Sequence, residues 1–191
     1  NLVRGLGYEP PPDLEERVFR QPRWEGESFQ DKTLLLYAEQ GYGDTIQFAR
    51  FVPQVKALGG RVVLECQPEL AGLMRSAGAD EVVAKGDALP EFDLQAPLLS
   101  APYLLGADWD TLPADCPYLS PPEVPESERL VPPRPPGTKL MAGICWAGKP
   151  SQKNDRNRTM GLAPLARLAA IPGVRLVSLQ KGPRSQDLDE L

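Results

Sequence analysis

Short apolar runs alternate along the chain with stretches whose apolar residues recur at helical spacing. TLLLYAE (33 to 39) predicts a buried strand, DTIQFARFVPQVKALG (44 to 59) a helix, and RVVLECQ (61 to 67) a second strand. PELAGLMRSAG (68 to 78) predicts another helix, with Pro68 in its first turn and Gly78 just past its end, the usual asymmetry of start and stop. DEVVAKG (80 to 86) and FDLQAPLLS (92 to 100) read as further short strands. After a break the pattern restarts, with KLMAGICWAG (139 to 148) as strand, GLAPLARLAAIPG (161 to 173) as helix and VRLVSLQKG (174 to 182) as strand. Strand and helix in alternation imply a parallel sheet with covered faces, a Rossmann-like three-layer α/β arrangement. The second stretch offers only two strands and one helix, an incomplete Rossmann-like unit whose edges and faces need partners. Pro53 falls inside the first predicted helix, where it should bend the helix or begin a new turn.

Proline marks the boundaries. The chain has 22 prolines in 191 residues, roughly twice the usual share of about 5%. One cluster, EPPPDLEE, lies at 9 to 16; the other, YLSPPEVPESERLVPPRPPGTK, runs from 118 to 139. Proline-rich segments are stiff, extended and unable to join a sheet interior, so the second reads as a linker. The expected organisation is an extension over 1–30, a Rossmann-like domain over 31–120, a linker over 121–138, and the start of a second domain over 139–191.

Composition removes several function classes. A net charge of −5 provides no broad basic surface for a phosphate backbone, which argues against nucleic acid as a partner. The chain has no histidine, so a Ser-His dyad, an imidazole base or a His-ligated metal is excluded for it, and no metal site is expected. Cys66, Cys116 and Cys145 are odd in number and far apart, pointing to neither a disulfide framework nor a zinc site, and fitting a reducing cytoplasm. No apolar run is long enough to span a membrane. Asn1 in place of Met, with the incomplete second unit, fits a piece of a longer protein.

Two stretches could carry chemistry. In YAEQGYGDTIQFARFVP (37 to 53) a glycine-rich turn links the first strand to the first helix. Gly41 and Gly43 are followed by Ile46 where a dinucleotide fingerprint needs its third glycine, and no Gly-Lys-Ser/Thr ending makes a Walker loop. What remains is a tight turn at the carboxyl end of a strand, where ligands of open α/β sheets bind. Asp44 is its acid, either a helix cap paired with Gln47 or a general base facing the cleft. The second stretch, WAGKPSQKNDRNRT (146 to 159), holds Lys149, Lys153, Arg156 and Arg158 with one acid, Asp155. Cations in a loop that ends at a helix N-terminus could bind a pyrophosphate; the plainer reading is a solvated loop. Lys181, in the turn after the last strand, and Trp146, at a strand end, are weaker candidates for the same cleft.

RQPRWEGESFQDKTLLLYAEQGYGDTIQFARFVPQV, RVVLECQPEL, LPEFDLQAPLLSAPYLLG and GICWAGKPSQKNDRNRTMGLAPLARL followed by GVRLVSLQKG together resemble the glycosyltransferase family 9, or heptosyltransferase-like, region of bacterial tetratricopeptide-repeat proteins. The resemblance covers about residues 20 to 183. It implies a GT-B architecture, with an acceptor-side domain first, a donor-side domain second and no obligatory metal or cofactor. It also implies sugar transfer from a nucleotide-diphosphate sugar to an acceptor hydroxyl, with Asp44 as base, Gly41 and Gly43 shaping the turn, and Arg156, Arg158 and Lys181 toward the donor phosphates. The acceptor's identity stays open, and upstream tetratricopeptide repeats are the implied neighbours. The family's DTAxxH-like donor segment is missing, so the expectation is a fragment inactive by itself. Two other classes stay open: a non-catalytic sugar- or nucleotide-binding module, and a protein-interaction scaffold.

Overall fold

The computed structural model describes residues 17–125, 132–148, 150 and 154–190. The proline cluster at 9 to 16, the centre of the second proline-rich stretch, Lys149 and Lys153 lie outside the described residues. The chain divides into two compact units, parting between Glu123 and Val124.

The first unit is α/β. Strand β1 (Thr33–Tyr37) leads into helix α1 (Tyr42–Phe48), a 3₁₀ turn (Ala49–Phe51) and helix α2 (Val52–Lys56). Strand β2 (Arg61–Cys66) follows, then a 3₁₀ turn (Pro68–Leu70), the one-turn helix α3 (Ala71–Met74) and strand β3 (Glu81–Ala84). After an irregular connection, strand β4 (Leu94–Pro97) runs into a 3₁₀ turn (Leu98–Ser100) and helix α4 (Ala101–Leu104). The four strands form one parallel sheet in the order β3-β2-β1-β4, compatible with a Rossmann-like fold. Register pairs Leu34 with both Val62 and Leu94. Leu34, Leu35 and Leu36 are all fully buried, as the unbroken apolar run requires of a strand covered on both faces.

The two faces are covered differently. Alternate strand residues, Leu34, Leu36, Val62, Leu64, Leu94 and Ala96, join Ala49, Phe51, Val52 and Val55 of the first helical run, Met74 of α3 and Ala101 of α4 in the main core. The intervening residues Leu35, Val63 and Val83 form a smaller cluster with Phe19, Leu89 and Phe92. Among the described residues this second face is packed by side chains from non-helical segments, in place of the helical layer expected from the alternation. Phe19 stands edge-on to Phe92, with ring centroids 5.6 Å apart. Glu65, which is buried on β2, is ion-paired with Arg17, whose guanidinium lies 4.9 Å from the centre of the Phe19 ring. A buried carboxylate is tolerable only with such a partner.

Local chemistry explains the joints. Pro53 sits in the first turn of α2, where its missing N–H costs nothing, and the 3₁₀ turn before it lets the helical run continue with a new start. Trp24 is fully buried; its N–H donates to the Gln95 carbonyl (2.9 Å), its indole N–H to the Glu27 carbonyl (2.7 Å), and Arg23 forms a parallel bridge with Gln95 beside β4. Gly60, at φ +82°, turns the chain into β2 where a Cβ would stand 2.3 Å from the Phe29 carbonyl oxygen.

The second unit contains strand β5 (Leu140–Ile144), the one-turn helices α5 (Asp155–Arg158) and α6 (Ala163–Ala166), a 3₁₀ segment (Arg167–Ala170), strand β6 (Val174–Ser178) and a 3₁₀ run (Pro183–Glu190). β5 and β6 pair in parallel from Leu140 with Val174 to Ile144 with Ser178. Among its described residues only Trp146 and Leu162 are buried hydrophobics, while Leu140, Met160, Ile171 and Leu179 are each about half exposed. A single β-α-β passage does not enclose a core of its own.

Candidate functional site

The strand order of the first unit reverses at β1: the chain moves to β2 on one side and returns to β4 on the other. The carboxyl ends of β1 and β4 therefore meet at a switch point, the position where open α/β sheets take ligands. The β1 end continues through Ala38, Glu39 and Gln40 to Gly41, which caps α1 with extended backbone (φ −72°, ψ 173°).

Asp44 is not the residue that caps the helix. α1 begins two residues before the predicted start, and Asp44 stands third in its first turn, reaching back so that Oδ2 accepts the Gly41 N–H at 3.1 Å. Gly41 has no side chain to return the bond, so half of a capping box forms, and the carboxylate also faces the positive end of the helix. Gln47, the predicted capping partner, is exposed, and its carbonyl accepts the Arg50 Nε–H at 3.1 Å. Gly41 and Gly43 are both exposed, and a Cβ on Gly43 would meet nothing within 4 Å. The Gly43 position therefore faces open space.

Three neighbours, absent from the sequence-based site, complete this corner. Thr45 is fully buried; its hydroxyl donates to Gln67 Oε1 (2.9 Å) and approaches the Gly41 carbonyl (3.3 Å). Gln67, just past β2, donates Nε2–H to the Gln40 carbonyl at 2.7 Å and so clamps the glycine turn from the next strand. Glu39 is half-buried between the two strand ends, and its enclosed Oε2 accepts no hydrogen bond. Burial pushes its carboxyl up from 4.5 to about 7, and the Asp44 charge adds to the rise, against partial relief from the backbone amides of Glu39, Leu99 and Leu98. At the rim Tyr42 is 50% exposed, and its hydroxyl donates to the Glu69 carboxylate, which pushes the phenol's pKa up.

In the second unit the candidate cations are placed differently from expectation. Arg156 and Arg158 are exposed and belong to α5 itself, within its last turn, so no helix N-terminus stands behind them. Four residues also sum too few peptide dipoles to matter. Arg158 does flank the turn after β5: a Cβ on Gly148 would lie 3.7 Å from its guanidinium carbon and 3.2 Å from Asp155 Oδ1. Asp155 Oδ1 in turn accepts the Thr159 hydroxyl at 2.9 Å. Lys181 is exposed after β6, its carbonyl accepting Gln180 Nε2–H at 2.9 Å.

Gln180 is the organising residue of this edge. Its Oε1 accepts the N–H groups of Trp146 (3.0 Å) and Ala147 (2.9 Å), and its Nε2 donates to the Ala147 carbonyl (3.1 Å), tying the turn after β5 to the end of β6. Trp146 is buried packing, its indole N–H held by Asp187 Oδ2 at 2.9 Å. Among the described residues no three His, Cys, Asp or Glu side chains are grouped to hold a metal ion, and no helix is long and apolar enough to cross a membrane. Comparison with known proteins finds no family model, no curated protein and no solved structure that matches the chain.

Proposed function

We propose that this chain is the acceptor-side unit and part of the donor-side unit of a GT-B glycosyltransferase, transferring a sugar from a nucleotide-diphosphate sugar to an acceptor hydroxyl. The observation that carries this reading is the acid-bearing turn at the switch point of the first sheet, with Asp44 at the mouth of α1. One Asp44 oxygen is engaged by Gly41 N–H, which fixes the carboxylate; the other can accept the acceptor's proton. As that proton leaves, the hydroxyl oxygen bonds the anomeric carbon from the face opposite the departing nucleotide diphosphate, whose bond to that carbon breaks. Arg158, beside the turn after β5, and Arg156 and Lys181 are the groups of the second unit with the charge to receive the diphosphate.

The test is binding of nucleotide-diphosphate sugars to the chain, followed by calorimetry and by NMR of the arginine side chains. Binding that moves the Arg158 signal and weakens about tenfold or more in Arg158→Ala supports the donor role. Absence of binding across uridine, guanosine and adenosine diphosphate sugars overturns it. A scaffold reading then gains from the exposure of Leu140, Met160, Ile171 and Leu179 in the second unit, apolar side chains that a protein partner could cover.

A further inference from the structure

Two of the three tryptophans are buried, Trp24 completely and Trp146 nearly so, while Trp109 is 94% exposed. An aromatic side chain hides about 150–250 Å² when it is covered, so an indole left in water forgoes one of the larger apolar gains open to a side chain. Tyr103 and Leu112, 66% and 41% exposed, bracket it along the chain. The ring does not sit on a loose loop, because Asp108 and Thr111 staple the turn that carries it. The Asp108 N–H donates to the Thr111 hydroxyl oxygen (2.9 Å), while Asp108 Oδ1 accepts the Asp110 N–H (3.0 Å), the Thr111 N–H (2.9 Å) and the Thr111 hydroxyl (2.8 Å). Both ends of the turn are tied to the helical layer. The Ala107 N–H donates to the Pro102 carbonyl on α4 (2.8 Å), the Thr111 carbonyl accepts Gln54 Nε2–H from α2 (3.2 Å), and the Pro113 carbonyl accepts an Arg50 guanidinium N–H (3.2 Å).

The charge along this turn is of one sign. Asp108, Asp110 and Asp115 are exposed, and no lysine or arginine occurs in the sequence between Lys85 and Arg129. The Thr111 hydroxyl, and then its N–H, hold the Asp108 carboxyl below its usual range, so it stays anionic at neutral pH. Arg50, the cation that reaches this segment, is engaged by the Pro113 carbonyl and stands 4.4 Å from the centre of the Tyr118 ring. An exposed indole between two carboxylates is matched by a guanidinium or an ammonium, which stacks on the ring face and pairs with the acids. Neutral sugars also stack on aromatic rings, but their hydroxyls need polar groups aimed at them, and Asp108 Oδ1 and the Thr111 hydroxyl are already engaged inside the turn. A turn fixed before binding loses little freedom on binding, and tryptophan is the side chain that most often carries the energy of a protein interface.

We propose that the turn from Asp108 to Thr111 is a docking point for a protein partner that covers the Trp109 indole with apolar side chains and faces Asp108 and Asp110 with arginine or lysine. The inference stands apart from glycosyl transfer: it uses no residue assigned to the acceptor or the donor, and it rests on the first unit alone.

The probe is a phage-displayed library of random linear peptides, selected on the wild-type chain and counter-screened on Trp109→Ala. Clones that prefer wild type should carry arginine or lysine beside apolar residues. Made as free peptides, they should shift the Trp109 indole N–H signal and bind more weakly as salt rises. Their affinity should fall about tenfold or more on Trp109→Ala, and severalfold on Asp110→Asn. Both side chains are exposed, so the variants should keep the fold, which unchanged amide signals in β1 and β2 verify. The inference is overturned if no clone distinguishes wild type from Trp109→Ala, if the clones that do are neutral or acidic, or if neutral methyl glycosides shift the Trp109 indole signal in place of the peptides. Absence of nucleotide-sugar binding would leave this result untouched, so the two proposals fail separately.

Discussion

Replacing Glu39 by Gln should make the first unit more stable, and increasingly so as pH rises. The carboxyl ionises near 4.5 in an unfolded chain but at about 7 in the fold, because burial and the Asp44 charge disfavour its anion more than the Leu98 and Leu99 amides favour it. Below both values the proton is bound in both states and nothing is lost. Between them the unfolded chain ionises while the fold keeps its proton, so stability falls with pH; above about 7 the loss is complete. At about 1.4 kcal/mol per pH unit the full loss is about 3 kcal/mol. Gln carries no such ionisation. Urea unfolding followed by the amide signals of Leu34, Leu36, Val62 and Leu64 isolates the first unit. From about pH 5.5 to about pH 8 the stability gap between Glu39→Gln and wild type should widen by about 2 kcal/mol, roughly thirtyfold in the folding equilibrium. A gap that stays constant over this range would refute the assignment of a buried, protonated Glu39.

Arg17→Ala should destabilise the first unit by about 3 kcal/mol, because it strands the buried Glu65 carboxylate; adding Glu65→Gln should recover most of that loss in the same urea assay. Gln180→Ala should free the turn after β5, speeding hydrogen exchange at the Trp146 and Ala147 amides about tenfold or more while leaving the amides of β1 and β2 unaffected.

The strands were legible because each has an unbroken apolar centre, Leu34-Leu35-Leu36 in TLLLY and Val62-Val63-Leu64 in RVVLEC, and burial on both faces leaves such a run little alternative. The start of α1 was not, because Gly41-Tyr42-Gly43 are poor helix formers; the half capping box from Asp44 and the Thr45 N–H bond to the Gly41 carbonyl (3.1 Å) hold the turn regardless. The turn at 155–158 is entirely polar, so no apolar periodicity marked it, and the cations expected before a helix proved to lie on one. Glu39 was read as the last residue of a buried strand. Its isolation depends on β4 returning beside β1 from nearly 60 residues downstream, a pairing that local pattern does not encode. For the same reason, the absence of a helical layer on the second face among the described residues follows from where Phe19, Leu89 and Phe92 land, not from spacing along the chain.

The bridge between Arg23 and Gln95 has a consequence for association between molecules. It plugs the outer rim of β4, and at the opposite rim β3 is only four residues long and bears Glu81, ion-paired to Arg61. Short, charged or plugged rims resist the addition of a foreign strand. β5 and β6 carry no further strand among the described residues and have exposed leucines at or beside their ends, Leu140 and Leu179. The chain thus joins a sheet closed to growth with one open to it, so self-association in concentrated solution should nucleate at β5 and β6 and leave the first sheet intact.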